Sequence, residues 1–193
     1  MKWQITLSSW IVASSLITIT EASAQYLGAS DNSALPVQRN SASQGDYIRQ
    51  WFSKYDEIRR QAQMNPADRA KADNLLAKGM SMFIPGPEKI VTSQLLEKLV
   101  AKNRAASESM KQLPLYKETD KLHRGYYKYF TDAQTLFSDY LAVQNNILVP
   151  GPDGKPLASQ LLARKQGLET LDQSNKALDA QLRQQFGIGP YQY

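Results

Sequence analysis

The stretch LVPGPDGKPLASQLL, residues 148–162, nearly repeats the earlier stretch FIPGPEKIVTSQLL, residues 83–96. When Gly154 is treated as an insertion, 8 of 14 aligned positions are identical. Proline lacks a backbone donor and disfavours helix in the residue before it, so each Pro-Gly-Pro triplet predicts a break between two helices. The two stretches therefore predict two similar helix–PGP–helix hairpins and indicate an internal repeat.

Apolar residues at heptad spacing predict long helices on both sides of the second break. Before it, steps of four and three residues run without interruption through Leu122, Tyr126, Tyr129, Ala133, Leu136, Tyr140, Val143 and Ile147. After it, a helix that begins near Pro156 keeps a leucine seam at residues 157, 161, 168, 171, 178 and 182. Arg164, Asn175 and Gln185 interrupt this seam. A buried Asn fixes register or oligomeric state; the alternative is a helix that is amphipathic over only part of its length.

Three more helices are predicted ahead of this pair. The first starts at Asp46 and carries apolar residues at three- and four-residue steps. Asn65 as N-cap and Pro66 in the first helical position start a second helix, which runs to about Met82. A third follows the first Pro-Gly-Pro, begins near Lys89 to Val91, and is closed or kinked by Pro114. Short connections between such helices predict an all-α, antiparallel up-and-down bundle of four to five helices with coiled-coil-like seams.

The N-terminus has the composition of a cleavable export signal. Lys2 precedes an uncharged, mainly apolar run over residues 5–19, and Ala22-Ser23-Ala24 fits the small-x-small rule for cleavage before Gln25. The alternative is an amphipathic or membrane-anchoring segment, although the uncharged run is short beside the roughly 20 apolar residues that a spanning helix needs. We therefore expect residues 1–24 to be a signal peptide and the protein to be periplasmic or secreted.

The remaining chain is predicted to have three parts. Residues 25–44 lack an apolar period and are rich in Ser, Asn and Gln, which predicts a flexible leader because such a segment cannot bury a core. The helical bundle occupies residues 45–186 and forms a single domain. Residues 187–193 form a C-terminal tail.

Composition limits the kinds of function. The chain of 193 residues has no cysteine, which excludes disulfides, thiolate metal sites and a cysteine nucleophile. The absence of cysteine together with the export signal favours a bacterial periplasm. The net charge of +5 favours anionic partners such as acidic lipid or polymer. The alternative is that this small, dispersed excess only keeps the protein soluble.

No motif in the sequence indicates catalysis. His123 is the only histidine, and Asp120 lies three residues earlier on the same helical face. One histidine without cysteine cannot form a typical zinc site, so we expect this pair to be surface or helix-start polarity. Carboxylates such as Asp56 and Asp179 alternate with Lys and Arg as they do on a solvated helix face. We therefore predict a protein that is not an enzyme and has no cofactor or metal.

Three groups of residues are candidates for binding a partner. The two Pro-Gly-Pro loops could form similar docking points at one end of the bundle, or could be plain connectors. An aromatic and basic cluster could be an exposed patch for a protein, glycan or lipid, or part of the core with its polar tips in water. The tail could dock, or could be a frayed terminus. The candidates are Pro85, Gly86, Pro87, Pro150, Gly151 and Pro152 in the loops; Arg124, Tyr126, Tyr127, Lys128, Tyr129 and Phe130 in the cluster; and Tyr191 and Tyr193 in the tail.

These features predict an exported, non-catalytic interaction or scaffold protein, a soluble component of a bacterial cell-envelope or secretion assembly. Its expected partner is a protein of the cell envelope, with a second copy of the chain or an anionic lipid or polymer as alternatives, and no nucleic acid is expected. The alternative function is that of a periplasmic carrier, which would hold an amphipathic or aromatic ligand between its helices.

Overall fold

The computed structural model describes residues 41–68, 70–71 and 86–192. Four α-helices have described bounds, α1 (Ser41–Ala62), α2 (Pro87–Gln112), α3 (Asp120–Asn145) and α4 (Leu161–Gln185), and a 3₁₀ turn lies at Leu157–Ser159. Residues 66–68 and 70–71 are also helical. The described residues contain no β-strand. The predicted signal peptide, most of the leader and of the second helix, Pro85 and Tyr193 lie outside the described residues.

Neighbouring helices run antiparallel. The hydroxyl of Ser93, near the start of α2, donates to Gln144 Oε1 at the end of α3 over 2.9 Å. Trp51 Nε1, in the middle of α1, donates to the carbonyl of Pro114 beyond the end of α2 over 3.1 Å. Lys102, earlier in α2, donates to the carbonyl of Gln63 just after the end of α1. Arg164 in the first turns of α4 pairs with Asp139 in the last turns of α3. The predicted all-α, bundle-like fold is therefore confirmed.

The core consists of an aromatic part, an aliphatic part and a small third cluster formed by Leu95 and Leu99 of α2. In the aromatic part, α1 packs its apolar side chains against the end of α2 and the first half of α3; the buried residues are Ile48, Trp51, Phe52, Tyr55, Met110, Leu122, Tyr126 and Phe130, among others. In the aliphatic part, α3 meets α4; the buried residues are Ala133, Leu136, Val143, Leu157, Leu161 and Leu168. Burying each large side chain stabilises the fold by about 1.5–3 kcal/mol. The heptad seam of α3 thus faces the core, except at Ile147, which lies beyond the end of the helix and is 50% exposed.

The two Pro-Gly-Pro stretches lead into different local structures. After the first, α2 begins directly at Pro87 with Gly86 as its N-cap. After the second, the chain forms an antiparallel bridge between Pro150 and Pro156, and α4 begins only at Leu161. The expected helix start near Pro156 is therefore wrong by several residues, because a 3₁₀ turn comes first. The first hairpin includes residues outside the described ranges, so the repeat stays a prediction.

The predicted start of the second helix is confirmed at its first turn. The backbone N–H of Asp68 donates to Asn65 Oδ1 over 2.7 Å, as an N-cap requires. The Asp68 carboxylate accepts a hydrogen bond from Lys98 of α2, which holds the pKa of Asp68 below its usual value. Among the helices that the structure describes, none is long and apolar enough to cross a membrane.

Candidate functional site

Exposed apolar side chains gather at one end of the bundle. We call this the PGP end; it comprises the first turn of α2, the loop at residues 146–160 and the first turn of α4. Its exposed large hydrophobic residues are Ile90 (62% exposed), Val91 (43%), Ile147 (50%), Leu148 (75%) and Leu162 (61%). In the described part of the chain only one other large hydrophobic residue is comparably exposed, Leu115 (58%), and it lies at the opposite end. A group of exposed apolar residues at one end of a bundle is a candidate interaction site, because large exposed apolar patches mark such sites.

Polar contacts hold the PGP end in one conformation. The buried side chain of Gln144 accepts from the hydroxyl of Ser93 over 2.9 Å and donates from Nε2 to the carbonyl of Lys89 over 3.1 Å. These bonds tie the start of α2 to the end of α3. Because both polar ends of a buried amide are satisfied, the contact fixes the spacing of the two helices without an unpaired group.

The second Pro-Gly-Pro loop is a closed turn. The N–H of Gly151 donates to the carbonyl of Lys155 over 2.7 Å, and the N–H of Leu157 donates to the carbonyl of Val149 over 2.9 Å. Gly154 takes a φ of 78°, which favours glycine. Pro150 and Pro152 lie exposed beside this turn and Gly151 is half-buried. A closed turn presents Leu148 at a fixed position, so little conformational entropy is lost on binding.

Of the first Pro-Gly-Pro triplet, the structure shows an exposed Gly86 at the N-cap of α2 and Pro87 as the first residue of that helix. Pro85 lies outside the described residues. Gly86 and Pro87 therefore belong to the same end of the bundle as Pro150, Gly151 and Pro152. Their binding role stays a prediction.

The aromatic and basic cluster is divided between core and surface. Tyr126 and Phe130 are each 2% exposed and lie in the aromatic core. A partner cannot reach these two rings in the closed bundle, so their placement matches the core alternative. Tyr127 and Tyr129 are half-buried against the same core.

The basic members of the cluster are exposed, and each pairs within α3. Arg124 Nε lies 2.8 Å from Asp120 Oδ1, and Lys128 Nζ lies 2.6 Å from Asp132 Oδ2. Exposed pairs at four-residue spacing stabilise a helix by only about 0.3–0.5 kcal/mol. The surface that a partner could touch is therefore limited to Arg124, Lys128 and the accessible parts of the half-buried Tyr127 and Tyr129.

The tail folds back on its own chain. Gly187 takes a φ of 61°, and the N–H of Ile188 donates to the carbonyl of Arg183 over 2.8 Å, which reverses the chain after α4. The ring of Tyr191 then stacks on the guanidinium of Arg59, with 3.9 Å between Cζ and the ring centroid. The frayed-terminus alternative for Tyr191, Gln192 and Tyr193 is therefore wrong for Tyr191. The docking role of Tyr191 toward a partner stays a prediction, and Tyr193 lies outside the described residues.

A buried ion network joins α1 to α4. Arg59 Nη1 lies 2.9 Å from Asp179 Oδ2, Arg183 Nε lies 2.9 Å from Asp179 Oδ1, and Arg183 also pairs with Asp56. Arg59, Asp179 and Arg183 are each 4% exposed. The expectation that Asp179 belongs to a solvated helix face is therefore wrong, because the rotation of α4 turns it toward α1.

At the ion network two pKa values are shifted, that of Tyr55 beside the network and that of Arg183 within it. Burial raises the pKa of Tyr55 well above its ordinary value of 10.0, and the neighbouring Tyr126 raises it further. Burial acts to lower the pKa of Arg183, but hydrogen bonds and charge from Asp56 and Asp179 outweigh it and raise the pKa. Arg183 therefore stays charged inside the bundle.

The pair Asp120 and His123 is not brought together. Asp120 binds Arg124, while Nε2 of His123 lies 2.7 Å from the carbonyl oxygen of Met110. Since a carbonyl only accepts, Nε2 carries the proton. His123 is 7% exposed, so the expectation of a surface histidine is wrong: the seam of α3 turns it toward the end of α2.

A shallow groove runs along the exposed side of α2. It has a volume of about 460 Å³ and is lined by residues of α2, together with Leu141 of α3. Two small side chains, Ala101 and Ala105, are among its lining residues. The described residues contain no group of three or more His, Asp or Glu side chains that could hold a metal ion. No protein-family model, curated protein or solved structure matches this chain.

Proposed function

We propose that this protein is an exported, non-catalytic interaction protein, a soluble component of a bacterial cell-envelope or secretion assembly, and that it docks through the PGP end. The observation that carries the proposal is the gathering of five exposed apolar residues at that end, against one at the opposite end of the described bundle. Their burial by a partner would be favourable at about 25 cal/mol per Å² of apolar surface.

The chemistry of the PGP end favours a protein partner over an anionic surface. Its charges alternate in sign: Glu88 neighbours Lys89 on α2, and Asp153 neighbours Lys155 in the loop. Arg164 in the first turn of α4 is balanced by its pair with Asp139 of α3. These six charges sum to zero, so this end offers no excess charge to an acidic lipid or polymer. An apolar centre within a rim of mixed charge resembles the anatomy of protein–protein interfaces. The partner is therefore a protein with an apolar patch of its own.

The preorganised loop supports a docking role. The turn at residues 149–157 is closed by backbone hydrogen bonds, and Gln144 fixes the spacing between α2 and α3 beside it. An apolar site that is already ordered loses less entropy on association than a loop that must fold. Leu148 and Leu162 then act as anchors, because both are exposed and both flank the ordered turn.

The non-catalytic part of the proposal is supported by the positions of the titratable residues. Asp120 is paired with Arg124, and His123 is turned into the core against a backbone carbonyl. The buried charges Arg59, Asp179 and Arg183 neutralise one another within the bundle. If the protein hydrolysed a substrate, full activity of the His123→Ala variant would exclude Asp120 and His123 as the acid–base pair of that reaction.

Native mass spectrometry of the protein, purified gently from the exported fraction of its host, tests the proposal. We expect a stoichiometric protein partner and a mature chain that begins at Gln25. A homo-oligomer would make the PGP end a contact between copies of this chain. A bare monomer with no protein attached would contradict the proposed docking role.

The second candidate is a carrier that uses the groove along α2. The groove volume of about 460 Å³ lies within the range of small-molecule sites, and Leu141 gives it an apolar wall. Trp51, the only tryptophan after Gln25, lies in the core and would report an opening of the bundle. Under the docking proposal, lipid extract leaves the Trp51 emission unchanged, whereas a saturable change would favour the carrier.

A further inference from the structure

The bundle contains a slot between α1 and α4 that their backbones do not close. Within the described residues, α1 and α4 form no group of Cα pairs within 8 Å, although α1 and α2 do. Side chains bridge the space: Arg59 and Asp56 from α1 meet Asp179 and Arg183 from α4, and Leu182 of α4 belongs to the same core cluster as the apolar residues of α1. We call the space that these four charged side chains line the slot.

The walls of the slot are aromatic rings stacked with guanidinium groups. Cζ of Arg59 lies 4.7 Å from the ring centroid of Tyr126 and 5.2 Å from that of Tyr55. Cζ of Arg183 lies 4.7 Å from the ring centroid of Phe52. The carboxylates of Asp56 and Asp179 hold both guanidinium planes in place. A fixed guanidinium plane is a good surface for another aromatic ring.

The tail fills this slot with two separate contacts. The ring of Tyr191 lies 3.9 Å from Cζ of Arg59 and 5.8 Å from Cζ of Arg183. Two residues earlier, the carbonyl of Gly189 accepts a hydrogen bond from Arg183 Nη1 over 3.0 Å. The slot thus contacts one aromatic side chain and one backbone carbonyl, and the second contact is available in any peptide.

We propose that the slot is a peptide-binding site for an aromatic residue and that Tyr191 occupies it in cis. Its ligand class is an extended segment with Tyr, Phe or Trp two positions after a free backbone carbonyl. The site is separate from the PGP end and does not depend on the docking role proposed for that end. A tethered segment has an effective concentration on the order of 1 mM, so the intact tail excludes most free peptides.

A labelled peptide with the sequence of residues 187–193 tests the proposal on the exported chain. The Tyr191→Ala variant vacates the slot, and fluorescence anisotropy measures binding of the peptide to it. We expect the variant to bind the peptide at least about 10-fold more tightly than the wild type, because the tethered ring no longer competes. The Gln192→Ala variant, altered at an exposed neighbour, should bind as weakly as the wild type. A peptide with Ala in place of Tyr191 should bind neither protein.

Equal affinity of the peptide for wild type and the Tyr191→Ala variant would overturn the proposal, as would equal binding of the Ala peptide. If circular dichroism shows that Tyr191→Ala does not fold, the Tyr191→Trp variant replaces it. Excess wild-type peptide should then displace the indole into water and shift its emission to the red, while the Ala peptide should not. Unchanged emission at a peptide concentration of about 10 mM, ten times the effective concentration of the tail, would also overturn it.

Discussion

Gly125 of α3 lies directly against the side chain of Asn175 of α4. A Cβ atom added at Gly125 would be 2.2 Å from Oδ1 and 3.0 Å from Cγ of Asn175. Asn175 is 4% exposed, and its Nδ2 has no hydrogen-bond partner among the described residues. The Asn that interrupts the leucine seam of α4 therefore faces the neighbouring helix of its own chain. The register role of Asn175 stays a prediction.

This contact predicts that the effect of Gly125→Ala on the free energy of unfolding changes sign when Asn175 is also replaced. Gly125→Ala gains about 1 kcal/mol in helix propensity but overpacks the contact at a cost of about 1–3 kcal/mol. We expect a net destabilisation of about 1 kcal/mol, measured by urea denaturation. In the Asn175→Ala background the obstruction is gone, so Gly125→Ala should stabilise by about 1 kcal/mol. Equal effects of Gly125→Ala in both backgrounds would show that the two residues are not coupled.

The ion network predicts that replacing one charged residue lowers the free energy of unfolding more than replacing an ion pair does. Asp179→Leu leaves Arg59 buried without its carboxylate, and breaking a buried pair in this way costs about 3–5 kcal/mol. The double variant Arg59→Met/Asp179→Leu removes both charges and leaves Arg183 with Asp56. We expect the double variant to recover most of the lost free energy of unfolding in guanidinium titrations. A double variant less stable than Asp179→Leu would contradict this account of the network.

Acid sensitivity should follow from Asp68. The hydrogen bond from Lys98 lowers the pKa of Asp68 from its ordinary value of 3.8, so the folded state binds a proton less readily than the unfolded state. The resulting stability is complete above pH 3.8 and is lost as the pH falls through the lowered folded pKa. We expect the urea midpoint of the Lys98→Gln variant to fall less than that of the wild type when the pH is lowered from about 5 to about 2. Identical pH profiles would show that Lys98 does not stabilise the carboxylate.

The parts of the fold that repeat along the sequence could be predicted, and those that depend on helix rotation could not. The heptad seam of α3 indicated a core face because its period persists over seven turns. Asp179 and Arg183, by contrast, have the same four-residue spacing as the exposed pair Asp120 and Arg124. Spacing alone cannot distinguish a buried pair from a solvated one, since the distinction depends on where α1 lies.

The candidate sites could likewise be predicted only in part from the sequence. The run at residues 125–130 covers more than one helix face, so some of its rings had to point inward, but the sequence did not show that Tyr126 and Phe130 were the two. The Pro-Gly-Pro loops were predicted as points at one end of the bundle. The exposed Ile147 was predicted as a seam residue, because nothing in its spacing showed that α3 would end at Asn145. A π-stacked tail could not be foreseen, since its partner Arg59 lies 132 residues away.

Docking through the PGP end is tested most directly by a matched set of charged substitutions. Leu148→Glu/Leu162→Glu alters two exposed anchors of the PGP end, and Leu115→Glu alters an equally exposed leucine at the opposite end. All three positions are on the surface, so helicity by circular dichroism should not change. Recovery of the envelope partner by affinity purification, quantified by mass spectrometry, should fall at least about 10-fold for the double variant and stay at wild-type level for Leu115→Glu. Undiminished recovery with the double variant, or an equal loss with Leu115→Glu, would contradict docking at the PGP end.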